Sequence, residues 1–302
     1  MYYFLYPFLY IVSLLPFFIL YRISDLAYII IYHIVGYRKK VVMSNLDIAF
    51  PEKTVQEKIV IAKKFYKNLT DTFIESIKLI SISEKNFLKR ATANMDAVIQ
   101  LAEKGKNIQF HCGHQFNWEY GNWIVAMKMP IPFIGIYMRL KNRAVDKIFY
   151  KLRSRPGTIL VAAQEFRQKM HQLMNKQYSI GLAADQNPGV PPHAYWLHFF
   201  NRPTPFVTGP DKGAVKNNTA VVFIRLMKRK RGYYHYDSIV YCEDASSCKE
   251  GEITLKYRDF LEETIKAHPD NYLWSHRRWK SEYNEKFTNR WIDSNPPDFK
   301  LQ

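Results

Sequence analysis

Residues 2 to 21 carry no charged side chain. About 20 mainly apolar residues are what a helix needs to cross the hydrocarbon core of a bilayer. Arg22 and Asp25 follow, then a second apolar run from Leu26 to Val35, closed by Arg38, Lys39 and Lys40. Aromatic residues stand near both ends, as expected for rings at a water–lipid boundary. The run lacks the basic leader and small-residue cleavage site of a signal peptide. Pro7 and Pro16 work against one straight helix, because each removes a backbone donor and kinks the chain. Residues 1–40 therefore read as a membrane anchor, either crossing the bilayer or lying in one leaflet. A buried core helix is the plainer rival. The trailing basic cluster favours the remaining chain on the cytoplasmic side.

Residues 41–302 show no repeat, linker or low-complexity tract and read as one catalytic-sized unit. Thr54 to Glu57 form a capping box, and the run to about residue 80 places Ile59, Ala62, Phe65, Tyr66, Leu69 and Phe73 on one stripe. Residues 83–103 read as further helix ending at Gly105. Short apolar runs at 107–110, 132–138, 158–161, 178–184, 219–227 and 235–241 read as strands. Helical patterns at 118–127, 142–153, 164–176 and 252–267, with a short one from Ala214, fall between or after them. Strands alternating with helices predict an α/β layer fold, a mixed, mostly parallel sheet covered on both faces. Ligands in such sheets sit beyond the carboxyl ends of the strands. The residues after Phe110, Met138 and Ala184 are therefore the place to look for chemistry.

The chain holds 44 Lys and Arg against 27 Asp and Glu, a formal charge of +17. That implies an anionic partner without choosing among nucleic acid, acidic protein and lipid surface. A 47% apolar content excludes a disordered chain, and three cysteines cannot form a disulfide framework.

After Phe110 comes His111-Cys112-Gly113-His114, then Glu119. A histidine in a turn at a strand end suits general-base work, since its ordinary pKa lies near the working pH. A carboxylate can hold one ring nitrogen and leave the other free to accept a proton. His114 and Glu119 would face about 140° apart on one ideal helix, so they meet only if His114 lies in the loop and Glu119 on the first helical turn. A partly buried histidine beside an unrelated glutamate is the alternative. A zinc site of His111, Cys112 and His114 lacks a second ligand pair, and Cys112 is either a nucleophile or, more simply, a small buried residue. Arg139 and Lys141 follow the next strand and suit phosphate or carboxylate. Asp185-Gln186-Asn187 follows the third, as a turn or as a carboxylate orienting an arginine or hydroxyl. The segment 268–280 interleaves basic and aromatic residues, and Lys228 to Arg231 before Gly232 reads as a solvated hairpin turn or a membrane contact.

In order along the chain, these segments resemble the late (secondary) acyltransferases of lipid A biosynthesis, within the lysophospholipid acyltransferase-like superfamily. The resemblance runs from the anchor, Asn45-Leu46 and Phe50-Pro51 through the His114–Glu119 box, Gly135 with Arg139, Asp185-Gln186-Asn187 and residues 198–203. It closes on Tyr272-Leu273-Trp274 and His276-Arg277-Arg278-Trp279-Lys280. It implies a glycerolipid acyltransferase-like fold and acyl transfer from a thioester, acyl carrier protein or coenzyme A, to a hydroxyl of a phosphorylated glycolipid. His114 would be the base and Glu119 would hold its imidazole. Arg139, Asn142, Asp185, Gln186, Arg277, Arg278 and Lys280 would bind substrate. Backbone N–H groups near Gly113, together with Arg139, are candidate oxyanion donors. No metal or redox cofactor and no nucleic acid is expected, and the place of work would be the cytoplasmic face of a bacterial inner membrane. Related branches acylate glycerolipids, phosphoinositide mannosides or amino-acid lipids by the same chemistry. A non-enzymatic basic protein binding membranes or nucleic acid is the remaining alternative.

Overall fold

A computed structural model describes residues 1–294 together with 296 and 297. Its centre is a seven-stranded sheet in the order β1-β9-β8-β2-β5-β3-β4. The strands are β1 (Ala91–Asn94), β2 (Ile108–Cys112), β3 (Phe133–Tyr137), β4 (Ile159–Ala162), β5 (Ser179–Ala183), β8 (Ala220–Lys230) and β9 (Tyr233–Cys242). All neighbours run parallel except the β8–β9 hairpin. The mixed, mostly parallel sheet expected from the alternation of strands and helices is thus the one found.

Helices cover both faces. On one, α3 (Lys39–Ala49), α4 (Val55–Lys78) and α11 (Glu252–Ala267) bury Val42, Leu46, Phe65, Tyr257 and Leu261 against Phe223. On the other, α6 (Asp96–Glu103) and α7 (Trp118–Lys128) bury Val98, Tyr120, Trp123 and Ile124 against Phe110 and Val222. The pleat divides β2 accordingly: Phe110 points to the second face, while His111 meets the rings of Phe223 and Tyr257 on the first. Helices α8 (Arg143–Ser154), α9 (Phe166–Leu173) and α10 (Gly209–Asn217) complete the crossovers.

Three expectations change. Residues 83–103 hold a short helix α5 (Glu84–Leu88), the edge strand β1 and α6, not one helix. Strand β1 has little apolar pattern and owes its form to pairing with β9. Between β5 and α10 lies an antiparallel hairpin, β6 (Tyr195–Phe199) and β7 (Arg202–Phe206), whose two prolines hid it. In α4 the capping box at Thr54 is present, but the buried stripe carries Ile61 in place of Ile59, and Phe73 is half exposed.

The uncharged run is not one helix. It breaks into α1 (Tyr2–Leu14) and α2 (Phe17–Tyr28), because Pro16 cannot donate to the preceding turn and instead caps α2. Helix α2 continues into a π-helical stretch, Ile29–Val35, so the long apolar helix is Phe17–Val35. It lies against the sheet-bearing unit and is tied to it by polar contacts. The Tyr21 hydroxyl donates to Glu75 at 3.0 Å and the Ser24 hydroxyl to Asp71 at 2.8 Å. Arg231, at the β8–β9 turn, bridges Asp25 and Asp71 at 2.7 and 2.6 Å. The turn expected to be solvated thus acts as a clamp on α2.

Candidate active site

Strands β2 and β5 are parallel neighbours with Cys112 opposite Ala183. Two residues further along each chain stand His114 and Asp185. The register therefore delivers both to the carboxyl edge of the sheet, face to face. The His114 Nδ1–H donates to Asp185 Oδ1 at 2.6 Å, and the His114 backbone N–H donates to Oδ2 at 2.8 Å. This fixes the tautomer: Nδ1 carries the proton and Nε2 is left as the acceptor. The imidazole keeps 23% of its surface exposed while Asp185 is sealed at 1%. Nε2 has no protein partner among the described residues.

Gly113 makes the approach possible. A Cβ there would stand 2.7 Å from Leu261 Cδ2 and 3.6 Å from Asp185 Oδ2. Burial pushes the His114 imidazolium toward deprotonation, but the adjacent Asp185 charge and hydrogen bond outweigh it. The ring titrates above the ordinary histidine value. Burial pushes Asp185 up, and the His114 charge, its two hydrogen bonds and Arg278 pull it further down, below the usual carboxylate value.

Glu119 does not hold the imidazole. Its carboxylate, 3% exposed, receives the Arg153 guanidinium, with Nε at 2.9 Å and Nη2 at 2.5 Å. The Trp118 indole donates to it at 3.1 Å. Helix geometry explains the correction: Asn117 caps α7 by accepting from the N–H groups of Glu119 and Tyr120, which sets Glu119 on the first turn and turns it toward α8. Glu119 thus fixes Trp118, whose ring meets the His114 ring edge-on at 5.8 Å.

The other expected site residues divide. Asn142 is consumed as the α8 cap, accepting from Ala144 and Val145 at 3.0 and 3.3 Å. Arg139 is exposed and paired with Glu165. The His114 N–H, one of the backbone donors expected near Gly113, is taken by Asp185. Arg278 is buried at 1%, packed over the Phe206 ring and donating to Asn187 at 3.1 Å, so it supports the Asp185 loop from beneath and cannot meet substrate. Gln186 is half buried beside Asp185 and makes no side-chain hydrogen bond among the described residues. Arg277 and Lys280 are exposed and line a cleft described below. Burial pushes the Cys112 thiol up to about 12, which removes it as a nucleophile, and pushes His111 down to about 3, a neutral core histidine bonded to Gln109.

An apolar groove of about 420 Å³ opens beside Trp118. It is walled by Ile31 and Val35 of the N-terminal segment, Leu69 and Phe73 of α4, and Leu273 and His276 of the closing segment. The half-exposed Phe73 has its explanation here. Without the N-terminal helices this groove would lose one wall, which no local pattern in the sequence discloses.

These features define an α/β layer protein with a histidine–carboxylate pair at the carboxyl edge of parallel strands, beside an apolar groove. The chain matches the family of bacterial lipid A biosynthesis acyltransferases over residues 1–281 and belongs to that family. No curated protein matches it in direct sequence comparison.

Proposed function

We propose that this chain is a membrane-associated O-acyltransferase that moves a fatty acyl group from a thioester, carried by acyl carrier protein, onto a hydroxyl of a lipid A precursor. The single observation that carries the reading is the His114–Asp185 pair, whose geometry leaves Nε2 as an oriented acceptor on a partly exposed ring. Nε2 takes the proton of the acceptor hydroxyl as its oxygen attacks the thioester carbonyl. The tetrahedral oxyanion collapses, the carbon–sulfur bond breaks, and the imidazolium returns its proton to the leaving thiolate. Asp185 holds the tautomer and stabilises the imidazolium that forms. The apolar groove beside Trp118 suits the acyl chain. No protein-derived metal or redox group enters these steps.

The N-terminal helices support attachment within one leaflet. Helix α1, at 13 residues, is about 20 Å long and too short to cross. The segment Phe17–Val35 is long enough, but Tyr21, Ser24 and Asp25 are bonded to the catalytic unit along its flank. Its outer face and that of α1 expose Phe4, Phe8, Ile11, Phe18 and Ile34. An apolar face pinned parallel to the domain fits burial in the acyl boundary of one leaflet, the cytoplasmic one of a bacterial inner membrane.

The test is His114→Ala combined with lipid mass spectrometry. Acyl transfer to the lipid A precursor by the purified protein should vanish in the variant while folding and membrane attachment persist. Full activity of that variant, or unchanged lipid A with an altered phospholipid or aminolipid after gene deletion, would overturn the proposal.

A further inference from the structure

A second cleft, of about 370 Å³, lies along α3. It is lined by Lys40, Ser44 and Asn45 of α3, Arg202 at the start of β7, and Arg277 and Lys280 of the closing segment. Four cations converge there and no carboxylate lines it. None of the four makes an ion pair with a described residue, whereas Arg153, Arg231 and Arg258, at joints between elements, each do. Like charges gathered without a counter-ion repel one another, so a fold that holds them together in a concavity is shaped for an anion.

The cleft is built, and it is joined to the catalytic pair. Asn45 donates to the carbonyls of Trp274 and His276, at 2.7 Å each, and so fixes the strand of chain that carries Arg277. Asn187, two residues beyond Asp185, donates to the Arg277 carbonyl at 2.6 Å. Movement of the cationic wall is therefore coupled to the loop that orients His114. Trp279 forms an aromatic wall, its ring stacked on Phe199 at 5.6 Å and its N–H donating to the Phe199 carbonyl.

We propose that this cleft binds the phosphate and adjoining sugar of the acyl acceptor, with Arg202 and Arg277 as bidentate partners of the phosphate oxygens and Lys40 and Lys280 as point charges. The assignment rests on the acyltransferase reading and names the part of the substrate that the reading leaves open. A concave site with an aromatic wall suits a phosphorylated sugar, whose ring presents an apolar face. A folded carrier protein would need a docking surface of about 800 Å², broader than this cleft, and its single phosphodiester arm is thin for this volume. The Asn187–Arg277 bond ties this cleft to the loop whose Asp185 holds His114, so an acceptor anchored here is held by the same segment that orients the base.

The experiment uses the full chain in nonionic detergent micelles, with acyl carrier protein as donor carrier and a diphosphorylated acylated glucosamine disaccharide, or its dephosphorylated form, as acceptor. In Lys40→Gln/Lys280→Gln and in Arg202→Gln/Arg277→Gln, KM for the phosphorylated acceptor should rise at least tenfold, with KM for the donor within twofold. The preference for phosphorylated over dephosphorylated acceptor should collapse toward unity. A surface control of equal charge change, Lys85→Gln/Lys89→Gln, should leave both constants as they are. A rise confined to the donor KM would assign the cleft to the carrier and overturn the proposal, as would no change in either constant. Binding separates this from failure of the acyltransferase reading. The His114→Ala protein should bind inorganic pyrophosphate by calorimetry and lose that binding when Lys40→Gln/Lys280→Gln is added. Retained binding in that combination, or none in His114→Ala itself, refutes the site whatever the wild-type activity.

Discussion

Replacing Asp185 by asparagine discriminates between the two carboxylates that were candidates to hold His114, the proposed base. Asp185 accepts two hydrogen bonds from His114, through the ring at 2.6 Å and the backbone at 2.8 Å. An asparagine can accept one of them, and its amide then turns a donor toward the other. The imidazolium of the transition state also loses its anion. A charge-assisted bond is worth about 1.5–3 kcal/mol, and loss of the tautomer adds to it. The expected loss in kcat is about 10³ to 10⁴, or about 4–5.5 kcal/mol of barrier. The acid limb of the rate profile tells more than the size of the loss. In the wild type kcat/KM rises as His114 deprotonates, at a pH above the ordinary histidine value because Asp185 holds the proton on. Without that charge, burial, aided by the Arg153 charge, prevails and the limb moves to lower pH. Glu119→Gln is the counterpart. It removes the charge facing Arg153, whose side chain is 22% exposed, and costs about 3 kcal/mol, about 5 °C in Tm for a chain of this length. Its acid limb should stay near the wild-type position. The assay is steady-state acyl transfer between pH 5 and 9, with thermal melts on each variant. If Asp185→Asn stays within tenfold of wild type and its limb does not move, while that of Glu119→Gln does, the pairing argued above is wrong.

Gly113→Ala should cost about 1–3 kcal/mol in a melt and most of the activity, since its methyl group must displace Leu261 or the Asp185 loop; trimming Leu261 to alanine in the same chain should restore part of the rate. Glu75 is buried and accepts from Tyr21, Asn117 and Tyr234, so Glu75→Ala strands buried donors at about 1–3 kcal/mol each. It should lower Tm and loosen both α2 and the Asn117 cap, and a wild-type melt would show that the cluster is not a joint of the fold. Stability should also follow the catalytic pair through pH. The lowered Asp185 contributes stability above its ordinary 3.8 that is lost as pH falls through the folded value. The raised His114 contributes below its ordinary 6.5, lost as pH rises through the folded value. Melts from pH 3 to 9 should show both slopes flattened in Asp185→Asn.

Much of this was legible beforehand because its causes are local. The Thr54 capping box, the helix over residues 252–267, and the short apolar strands each rest on neighbours within a turn or a pleat. The ordered motifs located the edge of the sheet where His114 stands. What failed depended on partners distant in sequence. Strand β1 is polar and forms because β9 pairs with it, and the β6–β7 hairpin contradicts its own prolines. Arg278 reads as a substrate-binding cation until the β6–β7 hairpin packs its Phe199 and Phe206 rings on it, and Lys40 and Arg202 carry no motif at all.

The amino-acid sequence alone determined the layered α/β class, the apolar N-terminus, a histidine at a strand end, and a strongly basic chain. Tertiary structure decided which carboxylate does the holding. His114 and Asp185 lie 71 residues apart and meet because β2 and β5 pair in parallel with Cys112 against Ala183. Glu119, five residues from His114, is carried away by the turn of its own helix to Arg153. Spacing along a chain fixes direction only within one element. Between elements, the register of the sheet sets the distance, and at β2 that register follows from burial of both faces of the strand.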